Sequence, residues 1–143
     1  MNVERILSEK GNSVVTLGPE RTLGEAIATL SRHRIGAIVV TGEGERVLGI
    51  LSERDVVSAL ADKGCDALAE PVSARMTRKV VTCTPAAEIP ELMSLMTTGK
   101  FRHVPVVQDG RLGGIVSIGD IVKNRLAEVE AEHKALRDYI ATA

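Results

Sequence analysis

The chain has 143 residues, of which 44% are hydrophobic, and it carries a formal net charge of −1. This length fits one ordinary domain or two small ones, whereas the near-neutral charge and an aromatic content of 1% argue against nucleic-acid binding, which needs a basic field and rings for stacking. No apolar run approaches membrane-spanning length, so we expect a cytoplasmic protein with no membrane partner.

The first half of the chain predicts a strand, a helix, a hairpin of two strands and a second helix, in that order. VVT at 14–16 and AIVV at 37–40 have the apolar character of buried strands, and a Gly-containing turn leads to a further strand that ends in GIL. The second helix begins near Asp55 and ends at Gly64, a C-cap residue. The first helix follows a Thr22–Glu25 capping box, and its apolar stripe consists of Leu23, Ala26, Ile27 and Leu30.

The second half of the chain repeats the first. VVTLGP at 14–19 aligns with VVTCTP at 80–85, and GILSERD at 49–55 aligns with GIVSIGD at 114–120. The protein is therefore an internal duplication. Its second copy of the helix carries Pro90 in the first turn, where a missing N–H is tolerated, and repeats the apolar stripe at Ile89, Leu92, Met93 and Met96.

These alignments suggest where the repeats begin and end. We expect the first repeat at 1–66, a linker at 67–77, the second repeat at 78–125 and a C-terminal helix at 126–143. The linker is placed where Pro71 occurs among few large apolar residues. A unit of about 65 residues buries too little of its surface to be stable alone, so the two repeats should pack face to face.

The C-terminal helix carries an apolar seam with alternating spacings of three and four residues. Packing on the body or on a partner chain would both bury this seam. We expect it to pack on the body, because fewer than three heptads rarely hold a dimer alone. The seam consists of Leu126, Val129, His133, Leu136 and Ile140.

No catalytic or metal-binding constellation is recognisable in the chain. Cys65 and Cys83 form no CxxC motif and are expected to be reduced thiols, although a disulfide between them stays open. The histidines at 33, 103 and 133 are isolated, and no Ser/His/Asp arrangement or phosphate-binding glycine motif accompanies them. The sequence therefore does not predict an enzyme.

The repeated phrase contains a Ser-x-x-Asp motif between a strand and a helix, at Ser52–Asp55 and at Ser117–Asp120. One interpretation is structural, because the hydroxyl and the carboxylate can cap the free N–H groups of the first helical turn. The other is functional, because a helix N-terminus suits a phosphate and a nearby carboxylate can accept from ribose hydroxyls. The motif alone leaves both interpretations open.

The order of the motifs resembles a known family. Two tandem copies of strand, helix, strand, strand and helix, with VVTxxP, FRHVPVV and GIVSIGD, resemble the CBS-domain pair, or Bateman module, over nearly the whole chain. The resemblance implies an α+β fold in which two CBS repeats pack about a pseudo-two-fold axis. It also implies clefts between the repeats that bind adenosine-containing ligands such as AMP, ADP, ATP or S-adenosylmethionine.

The resemblance also assigns roles to residues of this chain. It implies that Asp55 and Asp120 hold ribose hydroxyls, with Ser52 and Ser117 beside the ribose-phosphate. The remaining implied contacts are Thr16, Pro19, Thr82, Thr84 and Pro85 at the adenine edge, Ile35, Gly36, Ala37, Val104 and Pro105 as its walls, Arg34, Arg54, Lys100, Arg102 and His103 for phosphate, and Ile118 and Gly119 in the binding turn.

The two copies differ at the residues implied for phosphate. The second copy has Arg102–His103 where the first has Gly36–Ala37, so the phosphate cradle is not duplicated. The first cleft is therefore expected to be weaker or to use Arg34 and Arg54 instead. Arg54 as a solvated residue of a helical turn, and His103 as a hydrogen-bonded surface residue, are the structural alternatives.

The resemblance implies a regulatory module without catalytic cofactors that senses an adenine nucleotide, with AMP as the first candidate and ATP or NAD as alternatives. It also implies a homodimer that acts on an effector protein. A different class of function stays open, in which the protein is a dimeric interaction scaffold and the Ser-x-x-Asp motifs are only helix caps.

Overall fold

The computed structural model describes residues 1–142, so Ala143, the last residue of the predicted C-terminal helix, lies outside the described part. Within residues 1–142, five α-helices and five β-strands form the α+β fold that the sequence predicts. Short 3-10 turns lie at Glu43–Glu45, Gly64–Ala69 and Val72–Ala74. In chain order the main elements are α1 (Val3–Lys10), β1 (Thr16–Leu17), α2 (Leu23–His33), β2 (Ala37–Thr41), β3 (Val47–Ser52), α3 (Glu53–Lys63), α4 (Ile89–Gly99), β4 (His103–Gln108), β5 (Arg111–Ser117) and α5 (Ile118–Thr142).

The strands form one sheet in each repeat. In the first sheet β1 pairs in parallel with β2, and β2 pairs antiparallel with β3. In the second sheet β4 pairs antiparallel with β5. Both predicted hairpins are confirmed, and their registers correspond, since Ala37 lies opposite Ser52 and His103 lies opposite Ser117.

The strand predicted at the start of the second repeat is not formed at 80–82. Only Cys83 pairs with β4, through its N–H to the Pro105 carbonyl at 3.0 Å and its own carbonyl from the Val107 N–H at 2.8 Å. The chain before it turns, because the Val80 N–H donates to the Arg78 carbonyl at 3.0 Å. The pairing therefore has no room to extend in that direction. Both cysteines are free, with Cys83 buried and Cys65 exposed.

Each repeat has its own hydrophobic core, and each core also contains side chains from a segment outside the repeated strands and helices. The first core lies between α2, β2, β3 and α3, and the segment 67–77 adds Ala67, Val72 and Met76 to it. The second core lies between α4, β4, β5 and the start of α5, and α1 adds buried apolar side chains from residues 3–7. The two segments are thus exchanged, because the linker packs on the first repeat and α1 packs on the second. The predicted boundaries stay a prediction, namely 1–66, 67–77, 78–125 and 126–143.

Helix α1 was not expected from the sequence. Asn2 caps it by accepting from the Arg5 N–H at 3.2 Å, and Gly11 ends it with a φ of 97°, in the left-handed region that favours glycine. The Val3 N–H donates to the Ala87 carbonyl at 3.0 Å, which ties the helix to the second repeat. Backbone contacts and a buried apolar face therefore hold α1 on the repeat that lies farther along the chain.

The predicted helix signals are confirmed in part. Thr22 caps α2 by accepting from the Glu25 N–H at 3.2 Å, but the Glu25 carboxylate pairs with Arg21 at 3.1 Å instead of completing the box. Pro90 lies in the first turn of α4 as predicted, and Gly64 ends α3. Met93, assigned to the buried stripe of α4, is 42% exposed.

The expectation that the C-terminal seam packs on the body is wrong. Helix α5 runs for 25 residues without a Gly or Pro after its first turn, and its buried residues, Ile121 and Asn124, lie near its start. The helix therefore continues past the body. No helix within residues 1–142 is long and apolar enough to cross a membrane. The exposed apolar side chains of the seam are Leu126 at 57%, Val129 at 45%, Leu136 at 58% and Ile140 at 66%.

Candidate functional site

Both Ser-x-x-Asp turns form complete capping boxes. In the first, Ser52 Oγ accepts from the Asp55 N–H at 3.3 Å, and Asp55 Oδ2 accepts from the Ser52 N–H at 2.9 Å. In the second, the equivalent bonds between Ser117 and Asp120 measure 3.2 and 2.8 Å. The capping interpretation is thus confirmed at both places. Each box uses Oδ2, which leaves Oδ1 as a further acceptor.

The loop before each central strand is tied to the helix that follows the same turn. The Glu53 N–H donates to the Gly36 carbonyl at 3.0 Å, and the Ile118 N–H donates to the Arg102 carbonyl at 2.8 Å. These two bonds occupy equivalent positions in the two repeats. Each brings a loop residue that was predicted for ligand contact to the N-terminus of a helix, where the helix dipole favours anions although the first and third N–H groups already have protein partners.

The two repeats meet at His103 of the second. A Cβ placed on Gly36 would lie 3.4 Å from His103 Cε1 and 3.5 Å from Glu53 Oε1, so the imidazole ring packs against the backbone of the first repeat beside Glu53. The fold thereby joins predicted residues from both copies, and the ring lies at ordinary van der Waals distance from the position that a Cβ at residue 36 would occupy. His103 is therefore a junction residue and not a solvated surface histidine.

The electrostatics of the junction favour a neutral imidazole. Burial lowers the pKa of His103, and the nearby charges of Lys10 and Arg102 lower that pKa further, against the opposing charges of Asp120 and Glu53. These groups come from four parts of the fold, with Lys10 in α1, Asp120 in α5, Glu53 in α3 and Arg102 directly before β4. A neutral imidazole can both donate and accept a hydrogen bond at this position.

Lys10 is a residue of the site that sequence reasoning missed. Its Nζ donates to Asp120 Oδ2 at 2.7 Å and to the Ile115 carbonyl at 2.8 Å, from the last turn of α1. Burial alone would raise the pKa of Asp120, but the hydrogen bonds from Lys10 and from Ser117 hold it below its usual value. Lys10 lies outside the duplicated motifs and 110 residues from Asp120, so no local pattern signals the pair.

The environment of Asp55 is different. Its Oδ1 has the Thr77 hydroxyl at 3.5 Å, a distance at which a hydrogen bond is weak, and its Oδ2 also accepts from Ser52 Oγ at 3.1 Å. No cation binds this carboxylate within the described part of the chain. Both carboxylates thus complete a capping box, but only Asp120 has a charged partner.

The other predicted residues lie at helix ends, in loops whose carbonyls are already bonded, or at positions that differ in their burial. Arg34 and Lys100 end α2 and α4 in the left-handed conformation, with φ of 53° and 56°, and their side chains are exposed. The carbonyls of Pro19 and Pro85, predicted at the adenine edge, already accept from Ser73 at 3.1 Å and from Glu4 at 2.9 Å. Ala37, Val104 and Pro105 are buried, Ile35 is half-buried, and Thr16, Arg54, Thr82, Thr84, Arg102, Ile118 and Gly119 are exposed.

A groove of about 550 Å³ lies between α1 and α5. Asp120 and Lys10 line it, together with Asn124, whose side chain is buried and whose Oδ1 has no hydrogen-bond partner within residues 1–142. The volume is in the range of small-molecule sites. The groove adjoins the Asp120 carboxylate on the side of α1 and α5, and its lining does not include the His103–Gly36 junction.

Comparison with known proteins agrees with this architecture. A CBS-domain family model matches residues 3–62 and 71–127. A CBS-domain containing protein from Agrobacterium tumefaciens superposes with a TM-score of 0.84 and 50% identity, over 87% of this chain and 99% of that chain. Its similarity extends over both repeats of the present chain.

Two further solved structures contain adenosine compounds. The CBS domain pair of protein MJ0100, in complex with 5′-methylthioadenosine and S-adenosyl-L-methionine, has a TM-score of 0.80 and 26% identity, over 90% of this chain and 98% of that chain. A CBS domain protein from Pyrobaculum aerophilum, complexed with AMP, has a TM-score of 0.75 and 26% identity, over 84% and 89% of the two chains. Because the family model matches most of the chain in two copies, the protein belongs to the CBS-domain family as a tandem pair of CBS repeats.

Proposed function

We propose that this protein is a regulatory module that binds an adenine nucleotide between its two CBS repeats and passes its occupancy to an effector protein. AMP is the first candidate ligand. The observation that carries the proposal is the junction of the repeats, where His103 packs on Gly36 while Asp120 and Lys10 lie close enough to affect its charge. The cations Lys10 and Arg102 and the carboxylates Asp120 and Glu53 thus lie around the neutral imidazole at one place in the fold.

The chemistry of these groups suits a nucleotide. Asp120 Oδ1 is available to accept from a ribose hydroxyl while Oδ2 remains in the capping box. The exposed guanidinium of Arg102 can take two phosphate oxygens at once, and the first turn of α5 adds a positive dipole end. An aliphatic wall such as the half-buried Ile35 can hold adenine without aromatic stacking. This arrangement favours a ligand with ribose and at least one phosphate.

The ligands of the similar structures support the same class. MJ0100 holds S-adenosyl-L-methionine and 5′-methylthioadenosine, and the Pyrobaculum protein holds AMP, so adenosine is the part that these ligands share. ATP and NAD are alternatives for the present chain, because a cleft that holds ribose and one phosphate leaves the rest of the ligand unspecified. We assign no catalytic residue, and the cytoplasmic location stays a prediction.

We also propose that the protein is a homodimer in which α5 contributes to the contact. The seam from Leu126 to Ile140 has heptad spacing and is exposed, and Val122 extends it toward the body with 51% exposure. A second copy presents the same seam, which makes a self-complementary contact possible. Sedimentation of the pure protein checks this, with Leu136→Glu as the variant expected to dissociate the dimer. A wild-type monomer of 15.2 kDa would contradict it.

The function is tested by calorimetric titration of the pure protein with AMP, ADP, ATP, NAD and S-adenosylmethionine. We expect binding of at least AMP, and loss of that binding in the double variant Asp55→Asn, Asp120→Asn, which leaves the capping residues Ser52 and Ser117 in place and keeps an oxygen that can accept from their N–H groups. Circular dichroism of the double variant serves as the folding control. Absence of binding by every ligand would favour the scaffold function, in which the Ser-x-x-Asp motifs act only as caps. Turnover of ATP or NAD would contradict a purely regulatory role.

A further inference from the structure

We infer that Lys10 makes the Asp120 cleft selective for phosphorylated adenine ligands over neutral adenosine, an inference that rests on the proposed function. Lys10 belongs to α1, outside both Ser-x-x-Asp turns. Its Nζ contacts the carboxylate predicted to hold ribose, at 2.7 Å from Asp120 Oδ2. The side chains of Lys10 and Asp120 are 32% and 23% exposed, so their pairing is only partly screened by solvent.

Lys10 and a ribose can use the same carboxylate at the same time. A carboxylate offers about four acceptor positions on its two oxygens. The Lys10 ammonium and the Ser117 N–H both bind Asp120 Oδ2. Oδ1 has no donor among the described residues, so ribose binding there does not require Lys10 to leave. Lys10 therefore adds a positive charge to the occupied cleft instead of competing with the ribose.

The charge balance of the cleft then depends on Lys10. The cations Lys10 and Arg102 both influence His103, and the carboxylates of Asp120 and Glu53 oppose them, so the four charges balance. Without Lys10, one negative charge would remain around this place. That charge would repel the phosphate of a nucleotide and would act much less on neutral adenosine.

The ammonium is held in place by the packing of α1. Val3, Ile6 and Leu7 are buried in the second core, and the Lys10 side chain is anchored again on the Ile115 carbonyl at 2.8 Å. A charge held in position before the ligand arrives contributes more to affinity than one that must be ordered on binding. The first cleft lacks such a group, since Thr77 is the neighbour of Asp55 there.

The test compares AMP with adenosine by calorimetry at low ionic strength. Lys10→Met keeps the length and apolar stem of the side chain but removes the charge. We expect AMP binding to weaken about tenfold while adenosine binding changes less than about twofold, because only the phosphate interacts with the lost charge. Lys10→Arg should keep most of the preference for AMP. Lys123→Met, which removes another lysine that lines the α1–α5 groove, should leave the ratio as in the wild type.

Each other outcome overturns the inference. Equal weakening of both ligands would show a structural role, and tighter adenosine binding would show that Lys10 competes with ribose. An equal effect of Lys123→Met would show a general field and not a contact. A wild-type protein that binds no adenine ligand overturns the proposed function as well, whereas wild-type AMP binding with an unchanged ratio in Lys10→Met overturns this inference alone. If Lys10→Met loses helicity, Lys10→Gln takes its place in the same comparison.

Discussion

The two Ser-x-x-Asp turns of this protein are alike in sequence and in their capping bonds, yet their carboxylates have different neighbours. Asp55 has the Thr77 hydroxyl at 3.5 Å, whereas Asp120 has the Lys10 ammonium at 2.7 Å. Neither neighbour belongs to the strand, turn and helix that were duplicated. The difference teaches that duplication of a motif does not duplicate a site when the groups that complete it come from elsewhere in the chain.

The exchanged segments explain how this difference arose in the fold. Leu7 of α1 packs over Gly114 of β5, and Met76 packs over Gly49 of β3, so the glycine of the repeated phrase makes room for one apolar side chain in each repeat. We call the space over Gly114 and the space over Gly49 sockets. The two sockets occupy equivalent positions, but the segments that fill them are unrelated in sequence. Each cleft therefore has a different neighbour beside its carboxylate.

The largest expected effect comes from emptying these sockets. Leu7→Ala should lower the free energy of unfolding by about 2 to 4 kcal/mol, because it removes a buried side chain and leaves a cavity. Met76→Ala should cost a similar amount in the first repeat, if the two sockets are equivalent. Urea denaturation measures both. The exposed Val57→Ala, outside the α5 seam, is the control, within about 0.5 kcal/mol of wild type; a comparably small effect for Leu7 would show that α1 is not part of the second core.

Filling the sockets should distinguish them. A Cβ on Gly49 would lie 2.6 Å from Met76 Sδ and 2.9 Å from the Thr77 carbonyl oxygen, whereas a Cβ on Gly114 would lie 2.8 Å from the flexible end of Leu7. Backbone yields less easily than a side-chain terminus, so Gly49→Ala should cost about 2 to 3 kcal/mol and Gly114→Ala about 1. Thermal or urea unfolding of the pair checks the order. The reverse order would contradict the claim that the Thr77 backbone confines Gly49 more tightly than the Leu7 side chain confines Gly114.

The loss of a single arginine should separate the clefts in ligand preference. Arg102→Ala should weaken AMP binding by roughly tenfold, the effect of a lost charge-assisted hydrogen bond, while adenosine binding changes little. Arg34→Ala, which removes an arginine expected to serve the first cleft in place of the missing counterpart of Arg102, should have a smaller effect on AMP. Calorimetry with both ligands gives the comparison. A larger effect of Arg34 would assign the stronger phosphate contact to the first cleft.

The smallest expected effect is on pH dependence. The folded protein keeps His103 neutral, since its pKa lies below the usual 6.5, so the unfolded chain binds more protons as the pH falls below that value. Stability should therefore fall between pH 7 and about 5.5, by less than about 1 kcal/mol because the ring is partly exposed. The stability that Asp120 contributes is present above its usual 3.8 and is lost only as the pH falls through its lowered pKa.

His103→Asn is the variant that isolates the contribution of His103 to the pH dependence of stability. It removes the titrating ring but can still donate and accept hydrogen bonds. We expect a shallower loss of stability between neutral pH and about 5.5 than in the wild type, measured by urea denaturation at each pH. An identical slope in the variant would mean that His103 does not titrate differently in the folded and unfolded states.

The sequence predicted the fold well because the relevant signals are local and occur twice. The periodicity of α2, the hairpins and the caps at Ser52 and Ser117 all depend on residues within a few positions of one another. The prediction of a strand at 80–82 was wrong, because an apolar run does not reveal the turn before it. The prediction that the C-terminal helix packs on the body was wrong. An apolar seam shows that a helix has a face to bury, but not what lies opposite that face.

The site was predictable only in its repeated part. Ser117 and Asp120 could be found because the motif recurs, and His103 because the two copies differ there. Lys10 could not be found, since its contact with Asp120 depends on α1 packing against a repeat more than half the chain away. Contacts of this range are set by the tertiary arrangement of the two cores and not by sequence spacing.

The most direct test of the account is the effect of Asp120→Asn against Asp55→Asn on AMP binding, measured by calorimetry, with melting temperatures as the folding control. The account predicts that Asp120→Asn weakens AMP binding by about 1 to 3 kcal/mol and lowers the melting temperature only slightly, because the Asn oxygen can still accept from the Ser117 N–H but the charge that pairs with Lys10 is lost. Asp55→Asn should have the smaller effect. Equal losses in the two variants, or a lower melting temperature for Asp120→Asn with AMP binding unchanged, would contradict the claim that the second turn is the principal binding site.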